Sequence, residues 1–380
     1  MIYIVIFFIL LLWLAERSIN NGRLSPTSVM CSIWGITLLL ASFYEDVFFP
    51  ISSDTLMWIL TGIVCFFVGG LISNPLSFIQ IKSADVYPIG ILITSPLYLM
   101  VIFFSYKMAL EGFMENENFY IGIRSIINYG EPSWSFIAFG YLYYLIYPVF
   151  FISCVSHYLK PESKRRKGLF YYHGLIALFY AVMATAKVKL LMLFITWIII
   201  RSYYKKTSTK VLLVSGFIFM AMFFLSLLAL NKVTGGDSVI ESAISSIGNY
   251  SIANIYAFDS LNFNTISDTL CINSGEGCII MPFYDIGSFH TNVYTFLYDY
   301  IDSGLFVFAI VMFLIGFSHN LIHKISKRDK NPFLVIISSL LFFPLVYQII
   351  NDQYTSSKYL IYLFVITFLL YFIKRRPMHA

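Results

Sequence analysis

Charge is scarce in this chain: only 12% of its 380 residues are Asp, Glu, Lys or Arg, against 59% hydrophobic residues. No soluble core needs so much apolar surface, so lipid is the solvent for most of the protein. Glycine loops of the G-x-x-x-x-G-K-[ST] or G-x-G-x-x-G kind are absent, which argues against ATP hydrolysis and dinucleotide binding. CxxC pairs and an HExxH helix are absent too, so a zinc site has no support and no cofactor is expected. The halves do not repeat, as those of many transporters do. The first apolar run, 2–14, has neither a basic leader nor a small-residue cleavage site and reads as a retained span. A net charge of +5 points to asymmetric loops and not to nucleic acid.

Apolar runs long enough to cross a bilayer recur along the whole sequence. They predict eleven helices, near 2–18, 27–44, 55–73, 86–106, 135–156, 169–186, 188–204, 211–230, 304–323, 332–350 and 357–373. The expected fold is therefore an all-α polytopic membrane protein, a single integral membrane domain over 1–380. Alternating the loops puts nineteen of the 25 Lys and Arg on one side and sixteen of the 20 acids on the other. The positive-inside rule then places the N-terminus outside and the C-terminus in the cytoplasm. Gly69, Gly70, Pro88 and Pro96 mark close helix contacts or kinks. Cys31, Cys65 and Cys154 lie in spans as small hydrophobes.

Four polar stretches lie on the outer side. Residues 107–134 carry Glu111, Glu115, Glu117, Arg124 and Glu131 among apolar residues at helical spacing, which predicts an amphipathic helix at the outer leaflet. Arg124 is either a solvated surface residue or a planar fork for phosphate. The turn Ala184-Thr185-Ala186-Lys187-Val188-Lys189 puts two lysines where the topology disfavours them. They either snorkel to headgroups or form an anion site at a helix start. Residues 231–302 form one long hydrophilic loop, expected to hold an interfacial helix carrying Ile240, Ile244 and Ile247 and a Cys271–Cys278 disulfide. It ends in Thr291-Asn292-Val293-Tyr294-Thr295, followed by Asp302-Ser303-Gly304, beside the next span. Such polar density there is either an aromatic interfacial belt or a site. The last outer loop, 351–358, is long enough to help line an outer cavity, or else reads as an ordinary turn.

The Thr-Asn-x-Tyr-Thr segment leading to Asp-x-Gly, in a polytopic protein with one long C-terminal outer loop, resembles the Wzy-type O-antigen polymerases. Thr291, Asn292, Tyr294, Thr295, Asp302 and Gly304 match that pattern, and Ser303 replaces its usual aromatic. The resemblance implies a GT-C-like membrane glycosyltransferase of the bacterial inner membrane, working at the periplasmic face without a nucleotide sugar. Its donor would be a growing glycan on undecaprenyl pyrophosphate, its acceptor a repeat unit on the same carrier, and a chain-length-setting co-polymerase a further partner. Under that reading Arg124, Lys187 and Lys189 hold the pyrophosphate, with Lys232 and Lys358 in reserve. Asp302, Asp299 and His290, in that order, are candidate bases, and Asn292, Tyr294, Tyr298 and Tyr300 meet the sugars. An O-antigen ligase, a flippase or secondary transporter, and a membrane acyltransferase are the rival readings. The ligases carry a His directly before the motif Asn, where this chain has Thr291.

Overall fold

A computed structural model describes residues 1–20, 24–45, 48–74, 80–81, 84–205, 248, 252–260, 271–274, 277–280, 284–286, 289–291, 295–354 and 358–376. The expected span at 211–230, the residues Ile240, Ile244 and Ile247, and Lys232, Asn292 and Tyr294 lie outside the described residues. Among the described residues five helical segments are long and apolar enough to cross a membrane: Ile2–Ile19, Ser53–Ile72, Ile91–Glu115, Trp134–Leu159 and Phe296–Asp329. Pro26–Ser42 and Pro332–Tyr347 are shorter apolar helices. Among the described residues the protein is thus mainly helical, with helices of the length and apolarity a membrane protein needs, and helices overlap ten of the eleven apolar runs.

Contacts divide the chain into two compact units. The first comprises Met1–Ile79, Val239–Lys324 and Pro344–Ser357. Its first helices are α1 (Ile2–Ile19), α2 (Pro26–Ser42) and α3 (Ser53–Ile72). Ser25 caps α2 through a capping box, and its hydroxyl also donates to the buried Glu16 carboxylate at 2.6 Å, tying the end of α1 to the start of α2. Glycine lets α3 approach the helix that begins at Gly304 closely. A Cβ at Gly69 would lie 2.2 Å from the Phe313 carbonyl oxygen, and one at Gly316 would lie 2.2 Å from that of Phe66. Small residues serve helix contacts in lipid because backbones can then touch. Asn320 bridges to Thr27, and Lys324 donates to the Gly70 carbonyl and the Ser73 hydroxyl, so these polar side chains find partners inside the unit.

The second unit comprises Gln80–Ser238, Ile325–Phe343 and Lys358–Ala380. Its elements are β1 (Asp85–Val86), α4 (Ile91–Glu115), α5 (Phe119–Tyr129), α6 (Trp134–Leu159), α7 (Lys164–Met183) and α8 (Lys187–Tyr204). Near the C-terminus comes the helix Lys358–Lys374, followed by the strand Arg375–Arg376. Among the five long apolar helices α6 is the most buried, and it packs against α4, α7, α8 and the Lys358–Lys374 helix. Asn118 caps α5 by accepting from the Tyr120 and Ile121 amides.

Two expectations change. The span predicted from residue 86 starts at Ile91, because Asp85–Val86 pairs antiparallel with Arg375–Arg376, leaving Pro88 in extended chain and not at a helix kink. The same helix runs on to Glu115, so Lys107, Glu111 and Glu115 belong to it and only Phe119–Tyr129 forms the amphipathic helix. The described helical turn Ile252 to Ser260 is buried, while the residues expected to carry the interfacial helix, Ile240, Ile244 and Ile247, lie outside the described residues. Phe48 stacks on Tyr256 at 4.3 Å, and the Ser52 hydroxyl and amide both donate to Asp259.

Candidate functional site

The candidate residues fall into two groups, one in each unit. In the second unit, α7 ends at Met183 and α8 starts at Lys187, and the two-helix turn is made by Thr185 in the left-handed region, φ 52°. A β-branched residue there is a genuine outlier, and such strain is found at functional sites more often than elsewhere. Two side chains one turn apart on α5 lace it to this connection. Tyr120 donates its hydroxyl to the Val182 carbonyl, and Arg124 donates through Nη1 to the Thr185 carbonyl at 3.4 Å. Ala186, the N-cap of α8, has no side chain to satisfy the first amides of that helix.

Lys187 opens α8, and Lys189 follows within its first turn. Lys189 Nζ donates to the Tyr180 hydroxyl at 3.2 Å and lies 5.4 Å from the centre of the Tyr143 ring. Tyr147 in turn donates to the Lys189 carbonyl at 2.7 Å. The ion pairs found among the described residues use Asp85 and Asp329 and involve neither Arg124 nor Lys189. Three cations therefore gather at one helix start, two of them with neutral partners. Lys358, the reserve cation, is exposed at the start of its helix.

In the first unit the motif frames a 3₁₀ helix, Phe296–Ser303. Thr295 precedes it at φ 60°, ψ 173°, and Gly304 ends it at φ 78°, ψ 159°. Only glycine adopts that backbone region without strain, which explains the motif's glycine and makes Thr295 a second outlier. The Thr295 hydroxyl is buried and accepts from the Leu297 amide, and the Phe296 amide donates to the Gln348 carbonyl at 2.9 Å. Thr291 donates to the Asn254 side-chain carbonyl at 2.8 Å, and Asn254 donates to the Ile349 carbonyl at 3.2 Å. The motif is thus held from below by the buried turn at Asn254 and from the side by the loop after residue 347.

Of the residues expected to act, Asp302 and Asp299 are exposed and Tyr298 is 40% exposed. Tyr300 is different: its ring is buried against Phe296 and Phe308, and its hydroxyl donates to Asp352 Oδ2 at 3.3 Å. Asp352 also accepts from the Tyr354 amide at 2.9 Å. His290 sits on a short strand pair with Asp285 as its backbone partner. In the neighbouring pair, Cys271 faces Ile280 and Cys278 faces Asn273. The side chains of His290, Cys271 and Cys278, and so the expected disulfide, lie outside the described part. Among the described residues no group of three or more His, Cys, Asp or Glu is placed to hold a metal ion.

Sequence reasoning missed Asp352, Gln348 and Asn254. The loop at 351–358, expected to be either an ordinary turn or part of an outer cavity's lining, contributes the buried Asp352 and Gln353. An acid isolated between two apolar runs was the available signal, since a carboxylate at that depth needs a partner.

The chain is similar to an O-antigen polymerase of Shigella dysenteriae, at 25% identity over 362 residues that cover 86% of this chain and 85% of that one. No family model and no solved structure matches the chain. The similarity extends over most of the chain, far beyond the fourteen-residue motif stretch, and agrees with the resemblance to the Wzy-type O-antigen polymerases.

Proposed function

We propose that this protein is a surface-polysaccharide polymerase, a multi-pass GT-C-like glycosyltransferase that moves a growing glycan from undecaprenyl pyrophosphate onto a lipid-linked repeat unit. The observation that carries the reading is the group Arg124, Lys187 and Lys189 around the strained Thr185 turn. A glycosyl donor on a lipid diphosphate leaves as an anion, and cationic donors fixed before the reaction stabilise that charge most effectively. Arg124 offers two parallel N–H donors to phosphate oxygens, and the uncapped start of α8 adds amides and a favourable dipole. The similarity to an O-antigen polymerase supports the same class of reaction.

In this reading the acceptor hydroxyl loses its proton to Asp302 or Asp299. The acceptor oxygen bonds to the anomeric carbon, the bond from that carbon to the diphosphate oxygen breaks, and undecaprenyl pyrophosphate departs with the electron pair. Tyr298, on the exposed side of the 3₁₀ helix, stacks on sugar; the buried Tyr300 fixes the helix through Asp352. The reading keeps eleven spans, with the N-terminus and residues 231–302 periplasmic, as the distribution of basic residues supports.

Deleting the gene and resolving the surface polysaccharide by length tests the proposal. Single-unit caps on the lipid anchor are the expected result. Complete loss of attached units would point to a ligase or flippase, and an unchanged ladder would overturn the proposal outright.

A further inference from the structure

The second unit contains a cavity of about 940 Å³ that none of the proposed chemistry uses. It opens where the turn after β1, the start of α7 and the end of the Lys358–Lys374 helix meet, and Tyr87, Leu92, Ile93, Arg165, Ile373 and Lys374 are among its lining residues. Two features of that lining point to one kind of occupant. Leu92 is 90% exposed, Ile93 64% and Ile373 70%, so the mouth is apolar and unpacked. Arg165 and Lys374 stand beside these residues, and neither takes part in an ion pair among the described residues.

The neighbouring cation shows why these two are left over. Arg166 is buried and spends its guanidinium on Asp85, with Nη1 and Nη2 each 2.8 Å from a carboxylate oxygen, and it also covers the Tyr87 ring at 4.5 Å. Lys160 meets the same carboxylate at 3.1 Å. Asp85 therefore engages both Arg166 and Lys160, and the strand pairing of Asp85–Val86 with Arg375–Arg376 forms part of the cavity's surroundings. A cation-lined pocket with an exposed aliphatic rim is complementary to an anionic head attached to hydrocarbon chains. The basic loop 160–167 marks this end as cytoplasmic, the side on which basic side chains meet anionic headgroups.

We infer that this cavity binds the phosphate headgroup of an anionic phospholipid from the cytoplasmic leaflet, with Arg165 and Lys374 on the phosphate and the acyl chains along Leu92, Ile93 and Ile373. The test is native mass spectrometry of the full-length protein in neutral detergent, titrated with phosphatidylglycerol or phosphatidylcholine at equal concentration. Retention of phosphatidylglycerol over phosphatidylcholine by about thirtyfold is expected, the scale two basic side chains give near a membrane surface. The double variant R165Q/K374Q should bring the two lipids within about twofold of each other. The variant K164Q/K167Q, which removes two nearby cations at the start of α7 that do not line the cavity, should keep the preference. Equal retention of both lipids by the wild type, or an undiminished preference in R165Q/K374Q, would overturn the assignment. Loss of the preference in K164Q/K167Q would overturn it in favour of diffuse surface charge. Displacement of phosphatidylglycerol by an equal concentration of glycerol 3-phosphate would show a soluble-anion site and also sink the lipid assignment.

Discussion

Arg124→Ala separates a role in chemistry from a role in the fold, because the two losses differ in size. Within the protein, Arg124 makes a long hydrogen bond of 3.4 Å to the Thr185 carbonyl from a half-buried position. Losing a bond of that quality costs about 0.5–1 kcal/mol at most, so the helix α5 and the turn at Thr185 should persist. Tyr120, one turn earlier, still ties α5 to the Val182 carbonyl. If the guanidinium neutralises a departing diphosphate, its removal costs about 10²- to 10³-fold in rate, roughly 3–4 kcal/mol. The expected outcome is a surface polysaccharide collapsed toward single repeat units at nearly normal membrane levels of the protein. Arg124→Lys should fall between, since it keeps the charge but loses the planar fork. The assay is a polysaccharide length ladder normalised to the amount of inserted protein. A wild-type ladder from Arg124→Ala refutes the role in catalysis, and a matching fall in protein level shows that the residue serves the fold.

Other consequences are equally specific. Arg166→Ala leaves the buried Asp85 carboxylate with Lys160 as its remaining counter-charge and should destabilise the second unit by about 1.5–3 kcal/mol, read as a lower melting temperature in detergent; an unchanged transition contradicts it. Burial alone would raise the Asp85 pKa, but hydrogen bonds from Arg166 and Lys160 outweigh it and hold it below the ordinary carboxylate range. That stabilisation is therefore complete above about pH 4 and is lost as pH falls further, so acid unfolding should be less steep in Asp85→Asn. Gly69→Val drives a side chain into the Phe313 carbonyl and the Phe317 amide and should cost at least about 1–3 kcal/mol, with aggregation on size-exclusion chromatography as the readout. Thr185→Gly relieves the left-handed residue and should leave the thermal transition unchanged or raise it by up to about 1 kcal/mol; a marked drop would show that the threonine side chain itself holds the turn. Asp302→Asn should retain binding of lipid-linked repeat units in a pull-down while losing polymer, and an active variant removes it as the base.

What could be read in advance followed from local physics. Apolar runs give helices, and helices appear at ten of the eleven predicted positions, the run at 211–230 lying outside the described residues. The lysines at 187 and 189 drew attention because they oppose the topology, and the turn they occupy proved to be strained. The left-handed Thr185 itself was not legible, because nothing in a threonine announces a positive φ. Asp352 escaped for another reason: its contact with Tyr300 spans 52 residues, and one acid in a short polar loop looks like any turn. The strand pairing that moved the start of α4 joins residue 85 to residue 376, a separation no local pattern reports. The motif's glycine was legible as a match, and its backbone geometry supplied the physical reason.

The central claim is that this chain lengthens a lipid-linked glycan, and purified protein in liposomes with undecaprenyl-pyrophosphate-linked repeat units tests it directly. Mass spectrometry of the lipid fraction should show two or more repeat units on one carrier and free undecaprenyl pyrophosphate, both lost with Arg124→Ala. Repeat units that stay single in the presence of properly folded wild-type protein would contradict it.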